Sequence, residues 1–134
     1  MRDTVIATLA AAVVLLALDL LWLKLAMGPL YQKTLGAILA ETPAIAPAAG
    51  FYLLYIAGLV FFAVRPALES GDWRQALLRG AALGLLAYGT YDLTNLATLK
   101  PWSPRLSLLD MAWGTFLSAA AASAGAWVAL ALEK

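Results

Sequence analysis

The run T-V-I-A-T-L-A-A-A-V-V-L-L-A-L-D-L-L-W-L-K-L-A occupies residues 4–26, and it decides the fold class of this chain. Its only charged side chains are Asp19 and Lys24. About 20 apolar residues in one helix are enough to cross the hydrocarbon core of a bilayer. The run therefore predicts a transmembrane helix. Its length and the lack of a clear small-x-small cleavage site favour an uncleaved helix over a signal peptide.

The composition of the whole chain agrees with a membrane protein. Of its 134 residues, 63% are hydrophobic and 13% are charged, whereas a soluble domain averages about 45–50% apolar and about 25% charged residues. The net charge of +1 argues against nucleic acid as a partner, because nucleic-acid binding needs a basic patch. We expect membrane lipid as a partner instead.

The absence of two residue types restricts the chemistry that this chain can perform. The chain has no cysteine and no histidine, which excludes disulfides, thiol redox chemistry and the commonest ligands of haem and zinc. The spacing of the acidic residues shows no metal motif, so we expect neither a metal site nor a cofactor. Any proton chemistry would then rely on carboxylates, tyrosine or lysine.

Three further apolar segments follow the first, separated by short connections. They lie at residues 47–64, 75–99 and 107–132. Four spans joined in this way predict an all-α fold, an integral membrane bundle of four antiparallel transmembrane helices that forms one domain over 1–134. Gly80 and Gly84 in the third span form a small-xxx-small pattern, which predicts a close helix contact within the chain and leaves a homo-oligomer open.

Prolines are expected to divide the spans from their connections. Gly28-Pro29 should end the first helix, after which residues 30–40 form either a short amphipathic helix at the membrane interface or an ordinary structured loop. Arg65-Pro66 should close the second span, followed by a tight polar turn at 69–72.

The positive charges near the ends of the spans predict the orientation. One side carries Arg2, Arg65, Arg74, Arg79 and Lys134, and the other carries Lys24, Lys33, Lys100 and Arg105. The positive-inside rule then places both termini in the cytoplasm. Because the two sides are nearly balanced, dual topology stays open.

Three aspartates are expected to converge within the bundle. Asp19 and Asp92 each lie seven residues before the end of their predicted spans, which at 1.5 Å per residue puts both about 10 Å below the same membrane face. The fourth span starts from that face, and Asp110 falls within its first turn. Ionisable groups at this depth are costly and often functional, so these carboxylates are the candidate ligand-binding or proton-carrying groups.

Neighbouring residues extend this candidate site. Leu-Asp-x-x-Trp occurs in both the first and the fourth span, where it brings Trp22 and Trp113 onto the helix faces of their acids. Asn95 lies three residues after Asp92, as its expected hydrogen-bonding neighbour, and Tyr88 lies one turn before it. Other tyrosines could line the same cavity, although tyrosine is also an ordinary interface residue. These are Tyr52, Tyr55 and Tyr91.

Each aspartate also has a structural interpretation. Ser107 to Asp110 reads as a capping box, in which an acid near the helix N-terminus is simply favourable. Asp19 could form an ion pair with Lys24 or Lys100 that fixes the helix register.

The same segments resemble a known family. They are Leu18-Asp-Leu-Leu-Trp22, Tyr91-Asp-Leu-Thr-Asn-Leu-Ala-Thr98 with the following Lys100 and Trp102, and Asp110-Met-Ala-Trp-Gly114. They look like a bacterial family of predicted four-helix membrane proteins, domain of unknown function 2177. The resemblance spans nearly the whole chain and implies a bacterial inner-membrane protein, without implying a reaction.

Three functions are compatible with this sequence. The first is a membrane-embedded site for a small amphiphilic molecule or a lipid, used in transport or lipid-linked chemistry, in which close carboxylates share protons. The second is a structural or interaction subunit whose aspartates only lock helix packing. The third, ranked lowest, is a lipid-modifying membrane enzyme that uses the aspartates as acid and base.

Overall fold

The computed structural model describes residues 1–133, and among these residues all regular structure is helical. The four helices are α1 Arg2–Leu35, α2 Ile45–Ser70, α3 Trp73–Thr98 and α4 Pro104–Leu132. Helices α1, α2 and α4 are long and apolar enough to cross a membrane. Helix α3 is of similar length and less apolar. The predicted all-α fold is thus confirmed.

Helix α1 does not end at Gly28-Pro29, contrary to the prediction. Its α-helical part Arg2–Ala26 continues through a π-helical segment, Met27–Gln32, and a last turn, Lys33–Leu35. Proline has no N–H to donate, and in an α-helix its ring clashes with the carbonyl of residue i−4. The wider π-helical turn accommodates Pro29, so the chain between residues 27 and 35 is neither a separate interfacial helix nor a loop.

Helix α2 also runs past its predicted end. A second π-helical segment, Val60–Val64, precedes Pro66, and the helix then continues to Ser70. It ends at Gly71, whose φ of 70° is the left-handed conformation that glycine adopts without steric cost. Asp72 then caps α3 by accepting a hydrogen bond of 3.0 Å from the Arg74 N–H. The predicted tight polar turn is present, further along the chain from Pro66 than expected.

Helix α4 begins earlier than predicted. Ser103 is its N-cap and accepts a hydrogen bond from the Leu106 N–H, and Pro104 occupies the first helical position, where its missing N–H costs nothing. Ser107 therefore lies inside the helix and does not form a capping box with Asp110. Asp110 consequently lies about two turns into α4, deeper than its predicted place in the first turn.

Small residues hold α4 against both α3 and α1. A Cβ added at Gly80 would lie 2.6 Å from the Ser118 carbonyl oxygen and 2.9 Å from the Ala122 Cβ. These are approaches that only glycine allows, which confirms the close contact predicted within the chain. Further along α4, a Cβ at Gly125 would lie 2.6 Å from the Ala7 carbonyl oxygen. Helix α4 is therefore the central helix of the bundle.

The order of these contacts shows that α3 and α4 are antiparallel. Gly80 meets Ala122, whereas the carbonyl of Asp92, further along α3, meets Ser107 near the start of α4. Because α3 lies along a helix long enough to cross the membrane, it completes a four-helix bundle. Large apolar side chains cover the outside, including Leu53, Leu54, Leu78 and Leu86, as expected for a surface that faces lipid.

Candidate functional site

A cavity of about 480 Å³ lies between the helices, and residues of all four contribute to its walls. Its acidic side chains are Asp19 and Asp110. Its aromatic side chains are Trp22, Tyr31, Phe51, Tyr52, Tyr55, Tyr88 and Tyr91. Among the residues that line it in the described part of the chain there is no lysine or arginine. The cavity is thus apolar and aromatic, and the described residues that line it include two carboxylates and no basic group to neutralise them.

Asp19 is held in the cavity wall by a tyrosine from another helix. Its side chain is buried, with 8% exposed, and its Oδ2 accepts a hydrogen bond from the Tyr52 hydroxyl of α2. No ion pair with Lys24 or Lys100 is formed among residues 1–133. The predicted ion pair is therefore replaced by a neutral donor, which leaves the charge of Asp19 without a cationic partner.

Asp110 is held in the same way by Tyr31. The Tyr31 hydroxyl donates a hydrogen bond of 2.5 Å to Asp110 Oδ1, and Asp110 is 3% exposed. This contact depends on the π-helical segment of α1, because Tyr31 would lie outside the first helix if that helix ended at Pro29. Tyr31 was not predicted as a site residue for this reason. Its only signal in the sequence was its place among the apolar residues that follow Pro29.

The two tryptophans of the Leu-Asp-x-x-Trp repeat lie against each other. The rings of Trp22 on α1 and Trp113 on α4 stack with centroids 4.9 Å apart and planes 7° from parallel. Both indole N–H groups are buried without a hydrogen-bond partner in the described chain. The repeat therefore joins α1 to α4 beside the two carboxylates, and Trp22 forms part of the cavity wall.

Tyr88 and Tyr55 form a further part of the wall. The Tyr88 ring lies directly over Gly114, where any side chain would collide with it. Tyr55 meets this ring edge to face, at 6.3 Å between centroids and 85° between planes. The hydroxyl groups of Tyr55 and Ser118 are hydrogen-bonded at 2.6 Å. The predicted role of Tyr88 in the wall thus agrees with its position, and Gly114 is what makes room for its ring.

Asp92 lies behind the cavity and not on its surface. It is fully buried, and neither carboxylate oxygen has a hydrogen-bond partner within residues 1–133. Its side chain is a neighbour of Asp110 across the contact between α3 and α4. Buried polar groups are nearly always hydrogen-bonded, so Asp92 is the most unusual polar group of this bundle.

The predicted neighbour of Asp92 does not bind it. Asn95 is half-buried and makes no hydrogen bond to the Asp92 carboxylate. The contacts near Asp92 involve its main chain, because Ser107 Oγ donates a hydrogen bond of 3.2 Å to the Asp92 carbonyl oxygen. Ser107 in turn accepts 2.9 Å from the indole N–H of Trp102. The spacing of three residues between Asp92 and Asn95 predicts that they share a helix face, but it does not establish a hydrogen bond between their side chains.

The acidic groups do not form a metal centre in the described chain. No set of three or more acidic side chains there is arranged to hold a metal ion. Asp19 and Asp110 share one cavity, while Asp92 is separated from it by the wall.

Fold and cavity together define a four-helix membrane protein with an acidic, aromatic cavity between its helices. The chain belongs to the family described as "Predicted membrane protein (DUF2177)", whose model matches residues 4–127. No curated protein and no solved structure matches the chain.

Proposed function

We propose that this protein binds a small amphiphilic molecule or a lipid in the cavity between its helices, and that it moves this ligand across or within the membrane. The observation that carries the proposal is the cavity itself, where Asp19 and Asp110 meet aromatic side chains. Ligand sites typically enclose about 300–1,000 Å³ and combine apolar walls with a few polar groups. The volume of about 480 Å³ falls within that range.

The tyrosine hydrogen bonds support a binding role for the carboxylates. Tyr52 bonds one oxygen of Asp19, and Tyr31 bonds one oxygen of Asp110. The second oxygen of Asp19 accepts no hydrogen bond within the described chain, while the Asp110 carboxylate also has the Asp92 carboxyl and the Trp22 indole as neighbours. A tyrosine therefore fixes each acid in position, and Asp19 keeps one oxygen as an acceptor for a ligand, as expected of a preorganised site.

The second candidate is a structural role, and the same two hydrogen bonds favour it. They join α1 to α4 and α1 to α2, so they could serve only to fix helix packing. Asp92 argues against this as a general explanation, because its carboxylate is buried and bonds no other helix. A bundle that needed only packing would gain from an apolar residue at this position.

A cavity-filling variant tests the binding function. Ala87 lines the cavity, whereas its neighbour Leu86 is exposed on the outside. We expect A87W to abolish binding of the fluorescent amphiphile N-phenyl-1-naphthylamine to purified protein, while L86W, the matched control, leaves it unchanged. Equal binding by wild type and A87W would show that the cavity is not the site.

We also propose an orientation of the protein in the membrane. Both termini face the cytoplasm of a bacterium, and the cavity lies towards the periplasmic side of its inner membrane. Because the chain has no cysteine, single cysteines can report the two sides. E41C, in the first connection, should react with a membrane-impermeant maleimide in intact cells, and E69C should react only after lysis. The reverse pattern would invert the topology, and labelling of both would indicate dual topology.

A further inference from the structure

We propose that the ligand of the cavity is an organic cation, an amine or quaternary ammonium group with an apolar body. This inference rests on the proposed binding function and adds the charge of the ligand to it. It is carried by the juxtaposition of two carboxylates with aromatic side chains in a cavity that has no basic side chain among its described lining residues.

Charge excludes an anion and favours a cation. Asp19 and Asp110 are both buried, with 8% and 3% exposed, and neither has a salt-bridge partner in the described chain. Bringing an anion next to them would add like-charge repulsion inside a membrane, where charges are poorly screened. A cation would instead compensate a buried negative charge, which otherwise carries a large desolvation cost.

Two hydrogen-bond donors beside the carboxylates are already used. The hydroxyl groups of Tyr31 and Tyr52 donate to the carboxylates, so they are not available as donors to a ligand. What remains at each ionised carboxylate is an acceptor. A ligand group that donates hydrogen bonds or carries positive charge therefore fits against these carboxylates, and a group that only accepts hydrogen bonds does not.

The aromatic walls favour an organic cation over a metal ion. Trp22, Tyr55 and Tyr88 present rings around the cavity, and amines and quaternary ammonium groups are attracted to such ring faces. Hard metal ions prefer several oxygen ligands, and no set of three acidic groups surrounds a common point in the described chain. An apolar body on the cation would fill the remaining space.

A matched pair of ligands tests this inference on the wild-type protein. Benzyltrimethylammonium and neopentylbenzene have nearly the same shape, but only the first carries a charge. Both are titrated against protein that holds N-phenyl-1-naphthylamine in the cavity. We expect the cation to displace the probe at a concentration at least about tenfold lower than the neutral compound, which corresponds to about 1.4 kcal/mol.

Variants of the two aspartates test whether their charges cause the preference for the cation. D19N and D110N keep an oxygen that can accept the tyrosine hydrogen bond and lose the charge, so each should reduce the preference for the cation. E41Q removes an exposed acid outside the cavity and should leave the preference unchanged. If either Asp variant fails to fold, the other and the wild-type comparison still decide the question.

The outcomes separate the two proposals. Equal displacement by cation and neutral compound would overturn the cationic ligand while leaving the binding function intact. An undiminished preference for the cation in both D19N and D110N would also overturn it. Probe binding that A87W does not reduce would overturn the binding function, and the cationic ligand with it.

Discussion

Removal of the Tyr31 hydroxyl should destabilise the bundle, because this group joins the end of α1 to Asp110. In Y31F the ring stays in place and only the hydrogen bond of 2.5 Å to Asp110 Oδ1 is lost. Asp110 is 3% exposed, so water cannot easily replace the missing donor. The change tests both the continuation of α1 beyond Pro29 and the way the carboxylate is held.

The size of the effect follows from the charge of the acceptor. Hydrogen bonds to charged groups contribute about 1.5–3 kcal/mol, compared with about 1 kcal/mol for neutral pairs. We therefore expect Y31F to lower the free energy of unfolding by about 1.5–3 kcal/mol. Y91F is the matched control, because Tyr91 is 53% exposed and its hydroxyl joins no other helix in the described chain. It should change the free energy by less than about 0.5 kcal/mol.

A double-mutant cycle isolates the contact. Unfolding of wild type, Y31F, D110L and the double variant is followed in mixed micelles by circular dichroism. If the two side chains interact as described, the coupling free energy should be about 1.5–3 kcal/mol. A coupling free energy near zero, or equal losses in Y31F and Y91F, would refute the contact and with it the position of the α1 extension.

Two further predictions concern the buried groups. D92N should not lower the free energy of unfolding by more than about 1 kcal/mol, because neither Asp92 carboxylate oxygen has a hydrogen-bond partner in the described chain. A loss of about 3–5 kcal/mol in the same micelle assay would instead indicate a buried pair that fixes the helices together. G84A should destabilise by about 1–3 kcal/mol, because a Cβ there collides with the Gly114 carbonyl and Ser118. G58A, at a helical glycine with open space around it, should raise the free energy of unfolding by about 0.5–1 kcal/mol. Similar effects of G84A and G58A would contradict the close contact of α3 with α4.

The fold could be predicted because its main determinants act over short distances in the sequence. Apolar runs long enough for a bilayer define the helices, and the small-xxx-small pattern at Gly80 and Gly84 locates a tight contact. The local pattern is misleading at the prolines, because a proline need not end a helix where the chain widens into a π-helical turn. Pro29 and Pro66 both lie in or beside such a turn, and this choice depends on packing that a local pattern does not contain.

The candidate site was predictable in part. Helix direction and depth were enough to bring Asp19 and Asp110 to one cavity, and the Leu-Asp-x-x-Trp repeat pointed to the stacked Trp22 and Trp113. Whether a side chain faces the cavity depends on the rotation of its helix about its own axis, which the sequence pattern does not define. The position of Asp92 behind the wall was therefore not predictable. Tyr31 was missed because its position depends on the continuation of α1.

The most direct test of the proposed function is an experimental structure of the protein in a lipid nanodisc. We expect non-protein density in the cavity, in contact with the carboxylates of Asp19 and Asp110 and with the ring of Trp22. This density should be absent from A87W and present in L86W. A cavity closed by its own side chains in wild-type protein, or the same density in A87W, would contradict the account.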